Sequence, residues 1–124
     1  MGAAKPNPPE GSIDVRIRDR IIVATYKGEM TLALVQEAAE RIQALLPPQG
    51  KAMLLYDTRE MREPGWDLTR WMLNFNRVIE AQLAKAVTVA PDMMIKAHAK
   101  AAFVGSEKHE FFSDYDEALR WLKS

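Results

Sequence analysis

The chain predicts a single α/β domain of order ββαβαβαβα, with four helices and a largely parallel sheet opened by an antiparallel hairpin. Three observations predict it. Residues 85–124 alternate strand, helix, strand, helix. The runs at 52–56 and 85–89 are apolar on both faces, as strands in the middle of a parallel sheet are. The length of 124 residues suits one domain with a core of its own.

Met1 to Gly11 carries Pro6, Pro8 and Pro9 and no apolar stretch, and reads as a disordered arm ahead of a domain at 12–124. Ile13, Val15 and Ile17 alternate with Asp14, Arg16 and Arg18, the period-two pattern of a half-buried strand. Asp19-Arg20 forms a tight connection to the more apolar run Ile21 to Tyr26. Between Thr31 and Leu46, Leu32, Leu34, Val35, Ala38, Ala39, Ile42, Leu45 and Leu46 recur at helical spacing. Pro47-Pro48 ends that helix.

Ala52 to Tyr56 is the next strand, and 57–65 reads as a charged loop. The following helix is expected from about Asp67, its N-cap, to Leu83, with Leu68, Trp71, Met72, Phe75, Val78 and Ile79 on one stripe. Lys85 to Val89 is a strand, Pro91-Asp92 starts a helix through about Phe103, and Gly105 stops it. His109 to Phe112 is the last strand. Asp114 with Glu117, or Ser113 with Asp116, then caps a final helix containing Trp121 and Leu122.

Composition narrows the function classes. Acidic and basic residues balance at 17 each, so the domain has no whole-surface charge for nucleic acid. The absence of cysteine excludes disulfides and thiolate metal sites. No apolar run approaches the roughly 18 residues that span a bilayer, no secretory signal is visible, and a cytoplasmic protein is expected. His98 and His109 stand in no metal-binding pattern, and Ser106 and His109 in no nucleophile motif. No phosphate-binding glycine loop is present. Neither catalytic residues nor a metal or cofactor is expected.

The ending Phe111-Phe112-Ser113-Asp114-Tyr115-Asp116-Glu117-Ala118-Leu119-Arg120-Trp121-Leu122, together with the element order, resembles the STAS fold, and within it the SpoIIAA-like group. That group is also related in shape to CRAL-TRIO lipid-binding domains. The resemblance covers residues 12–124. It implies a non-enzymatic module binding a small apolar or amphipathic, lipid-like ligand at a membrane surface. The alternative it implies is a regulatory protein-interaction domain of the anti-sigma-antagonist type. Antagonists carry an Asp-Ser-Ser-Gly turn after the third strand, where a serine is phosphorylated. Here Asp57-Thr58 and Asp67-Leu68-Thr69 stand in that stretch and do not match it, which leaves Thr58 and Thr69 as the hydroxyls for such a switch.

Three groups of residues are candidates for binding. Trp66 follows Pro64-Gly65, and it either staples onto Trp71 or reaches a ligand from a lid. Met93 and Met94 open the third helix, where thioethers suit either core filling or an adaptable apolar surface. A pocket between the second and third helices would be lined by Trp66, Trp71, Phe75, Met93 and Met94. Lys96 and Lys100 share a helix face, and with Lys108 they would hold an anionic headgroup. Right-handed crossovers in sequential strand order place the helices mostly on one sheet face. The other face then needs cover, from the arm or from the second subunit of a homodimer.

Overall fold

A computed structural model describes residues 11–124; the arm expected at 1–11 lies almost wholly outside them. Five strands form one sheet in the order β1-β2-β3-β4-β5. They are β1 (Ser12–Arg18), β2 (Ile21–Gly28), β3 (Ala52–Met61), β4 (Leu83–Val89) and β5 (His109–Phe112). β1 and β2 pair antiparallel, and every later neighbour is parallel. The helices are α1 (Leu32–Leu45), α2 (Trp66–Ile79), α3 (Met93–Ala102) and α4 (Tyr115–Lys123). No helix among the described residues is long and apolar enough to cross a membrane.

Local chemistry sets most boundaries. The Thr31 hydroxyl caps α1 by accepting from the Leu34 amide, and Asp92 and Asp114 cap α3 and α4 in the same way. Asp114 Oδ1 takes the amides of both Asp116 and Glu117. Gly105, at φ 88°, supplies the left-handed residue that ends the α3 segment.

Three boundaries differ from the sequence pattern. β3 does not stop at Tyr56 but runs through the charged stretch to Met61. An extra residue in β3, opposite Thr25–Lys27, makes a bulge and keeps the strand paired with β2 as far as Gly28. Asp57 and Arg59 satisfy each other beside it. α2 is capped by Gly65, not Asp67, and begins at Trp66. It ends at Ile79, a 3₁₀ turn covers Glu80–Gln82, and Leu83 already belongs to β4.

The sheet is covered on both faces. α1, α2 and α3 pack on one, against Ile22, Ala24, Tyr26, Leu54, Tyr56 and Ala86. α4 packs on the other, with Ala118 and Leu122 against Ile21, Val23, Leu55, Val87 and Val89. Three right-handed crossovers stepping in one direction leave their helices on one side. α4 follows the last strand, needs no crossover, and folds back over the opposite side. The expectation of an uncovered second face is therefore corrected, and the argument for a homodimer on that ground falls with it.

Candidate functional site

The parallel strands β2, β3 and β4 end beside the first turns of α2 and α3. Ligands of open α/β sheets bind outside the carboxyl ends of the strands, and there the chain has a cavity of about 80 Å³. Tyr26 ends the inward row of β2, Thr58 sits at the β3 bulge, and Thr88 comes from β4. Leu68, Thr69, Met72 and Asn76 close it from α2, and Ile95, His98, Ala99 and Ala102 from α3.

Two polar ties hold the walls. Tyr56 Oη donates to Asn76 Oδ1 at 2.9 Å, and Asn76 Nδ2 donates to the Ala102 carbonyl at 2.9 Å. The second tie runs from Thr69 through His98 to Glu63. Thr69 Oγ1 lies 2.8 Å from His98 Nδ1, and His98 Nε2 lies 3.3 Å from Glu63 Oε2. In the neutral ring, one tautomer satisfies both contacts: Nε2–H donates to the carboxylate and Nδ1 accepts the threonine O–H. The tie joins the β3–α2 connection, α2 and α3. The Trp66 indole stacks on the same imidazole, with centroids 3.8 Å apart.

Burial shapes the titrating groups nearby. It pushes the phenols of Tyr26 and Tyr56 up. His109, packed flat on Phe103 and bonded to Thr88 Oγ1 at 2.8 Å, is pushed down by burial to about 3. Burial would raise the Asp57 carboxyl, but two side-chain bonds and a backbone N–H from Arg59 outweigh it and the carboxyl ends below its ordinary range.

The sequence candidates do not converge on one pocket. Trp71 stacks on Phe75, and both line a groove against α1 together with Gln36, Ala39 and Gln43. Met93 and Met94 stand 78% and 53% exposed, outside the cavity. Trp66, 56% exposed, is the first residue of α2 and lies over His98, so the staple with Trp71 is not the arrangement formed. The three lysines are separated in role. Lys96 lies over the Phe111 ring, Lys100 is exposed, and Lys108 donates to the Glu80 carbonyl.

Thr58 and Thr69 are both buried and engaged. The Thr58 hydroxyl donates to the Val89 carbonyl at 2.7 Å. A kinase reaching either would have to open the fold. Among the described residues no three His, Asp or Glu side chains gather as a metal ion would need.

The structure adds site residues that sequence reasoning passed over, Tyr26, Tyr56, Asn76 and Glu63, and it puts His98, weighed in the sequence as a metal ligand, in the cavity wall. A signal for one was present. Thr69 and Asn76 are seven residues apart in α2, so both fall on its buried stripe, and a polar residue there needs a partner.

A sequential mixed sheet with three helices on one face, one on the other, and a small cavity at the strand ends defines an α/β domain of the SpoIIAA-like fold. The chain belongs to the SpoIIAA-like family, whose model matches residues 21–123. In fold it is similar to an uncharacterized protein with a SpoIIAA-like fold from Shewanella loihica PV-4. The identity is 13%, the coverage 98% of this chain and 99% of that one, and the TM-score 0.67. It is also similar to an anti-sigma factor antagonist from Mycobacterium paratuberculosis, at 20% identity, 95% and 98% coverage, and a TM-score of 0.61. No curated protein matches the sequence.

Proposed function

We propose that this domain is a non-enzymatic, regulatory protein-interaction module of the anti-sigma-antagonist kind, acting without a phosphorylated turn. The observation that carries the reading is the apolar tip at the first turns of α2 and α3. Trp66, Met93 and Met94 are all more than half exposed there. Met94 precedes His98 by one turn and shares its helix face, and Trp66 lies on His98. Tryptophan and methionine are the residue types enriched at protein interfaces, and Trp66 needs no rearrangement to act as an anchor.

Family membership and the likeness to an anti-sigma factor antagonist support this reading over a lipid carrier. The size of the cavity does so too. At about 80 Å³ it is near half the roughly 150 Å³ that accepts benzene, too little for an acyl chain. With Thr58 and Thr69 buried, control would come from the partner's state. A partner of this class places the domain in the cytoplasm.

The test is binding of the chain to purified anti-sigma factors of its own cell, measured by interferometry. The expected result is a specific complex, weakened at least about ten-fold by Trp66→Ala or Met94→Glu, as loss of an interface anchor does. Arg120→Ala, on α4 across the sheet, should leave it unchanged. Binding insensitive to the tip, or no binding to any of these factors while vesicles of anionic lipid are bound, would overturn the reading.

A further inference from the structure

The cavity and the tip meet at His98, and the cavity has a property that the protein-interaction reading does not use. Its polar wall atoms are accounted for one by one: Tyr56, Thr58, Thr69, Asn76, Thr88 and His98 each hold a hydrogen bond. Tyr26 is the exception. Its ring is 4% exposed, its hydroxyl is buried, and that oxygen is the one buried side-chain N or O among the described residues with no partner. A buried hydroxyl without a partner bears an uncompensated desolvation cost, and native folds leave few such groups.

Water is a poor occupant. A buried water settles where it makes about three hydrogen bonds. Here the accessible wall is almost all carbon, from Met30, Val35, Met61, Leu68, Ile95 and Phe103, and Tyr26 Oη is the donor left over. A charged ligand is disfavoured by the same wall, since no lysine or arginine lines it, the His98 nitrogens are already engaged, and burying an unpaired charge is costly.

We infer that the cavity is a binding site for a small, neutral, mostly apolar molecule with one hydrogen-bond acceptor, a short ketone, aldehyde or ether in chemical class, with Tyr26 as the donor. The volume sets the size at a few non-hydrogen atoms, or more where the Met61 and Met72 side chains give way, as methionines do. The acceptor takes the Tyr26 O–H, and the carbon skeleton packs on Leu68, Ile95 and Ala99. High burial keeps the phenol protonated across physiological pH, so it stays a donor. The site does not depend on the protein partner proposed above.

The experiment uses two probes on the full chain, followed by amide chemical shifts. 2-Butanone carries the acceptor, and xenon, dissolved under pressure, is an apolar atom of similar reach. Both are expected to shift the amides of Tyr26, Thr69, Asn76 and Ala99 in a saturable way. Tyr26→Phe should weaken butanone about five-fold, the worth of one hydrogen bond, and leave xenon unchanged. Ala99→Leu, which fills the space, should abolish both. Binding of butanone equally well to Tyr26→Phe would overturn the role of the hydroxyl. No saturable shift with either probe would overturn the site.

Discussion

Trp66 stacks on His98 with ring planes 24° apart, and the imidazole beneath it is only 3% exposed while holding Thr69 on one nitrogen and Glu63 on the other. The pair joins the exposed tip to the interior. One face of the indole is offered to solvent, and the other rests on a ring fixed by two elements. An anchor held in this way loses little side-chain entropy on binding.

His98→Ala should therefore be costly where Trp66→Ala is mild. Removing the imidazole leaves Thr69 with only a long bond to the Gly65 carbonyl, frees Glu63 to solvent and opens a void, a loss of about 2–4 kcal/mol. Removing the half-exposed indole forfeits one aromatic contact and part of its burial, about 1 kcal/mol. Urea denaturation of both variants and of the double mutant checks this. A coupling near 1 kcal/mol is expected in the cycle, and a coupling of zero would show that the stack contributes nothing.

The two buried tyrosines should respond in opposite ways to loss of the hydroxyl. Tyr56 Oη donates to Asn76 Oδ1, so Tyr56→Phe strands a buried acceptor at a cost of about 1–3 kcal/mol. Tyr26 Oη has no partner, so Tyr26→Phe should be neutral or stabilising by about 1 kcal/mol in the ligand-free protein. Denaturation midpoints at constant m-value read both. A Tyr26→Phe variant as unstable as Tyr56→Phe would mean that the hydroxyl is satisfied in solution.

Much of this fold was legible because its signals are local. Thr31, Asp92 and Asp114 announce helix starts within three residues, and Pro47 and Gly105 announce stops. The extension of β3 to Met61 was not, because Asp57, Arg59 and Glu60 look like loop residues until β2 and α4 are placed beside them. Lys27 then faces Glu60, and Arg59 lies over the Tyr115 ring. The side taken by α4 was hidden for a similar reason, since an apolar helix stripe does not say which sheet face it will meet. The cavity depends on three elements meeting at once. Tyr26 and Asn76 are fifty residues apart, and nothing in the spacing of either announces the other. The phosphorylation candidates could be read as hydroxyls near the right turn, but the burial of Thr58 follows from the strand extension and that of Thr69 from the packing of α2 on α3.

Acid should weaken the fold through His109. Burial holds the folded imidazole neutral down to about pH 3, whereas the unfolded chain protonates it near 6.5. Across that window the unfolded state binds more protons, so stability is full above pH 6.5 and falls as pH drops toward 3. One proton difference gives at most about 1.4 kcal/mol per pH unit. Unfolding free energies from pH 7 to 5 should show a slope of that sign, reduced in His109→Gln. The His109 ring resonance should not titrate above pH 4, and a midpoint near 6 would refute the assignment.

The β1–β2 turn stores strain that a glycine should release. Asp19 and Arg20 both have positive φ, 55° and 67°, as the two central residues of a type I′ hairpin turn require. Aspartate tolerates the left-handed region through its short polar side chain, whereas arginine has no such compensation. Arg20→Gly should raise stability by about 1 kcal/mol, the left-handed penalty of about 1–2 less the extra chain entropy of glycine. Asp19 is retained because its carboxylate pairs with Lys123 and ties the turn to the end of α4. Asp19→Ala removes an exposed ion pair of little worth and also puts in the left-handed region a residue without aspartate's short polar side chain. Thermal melts of the two variants should move in opposite directions, upward for Arg20→Gly and downward for Asp19→Ala. An unchanged or lowered melting temperature for Arg20→Gly would mean that the turn relaxes in solution to a conformation without the left-handed arginine.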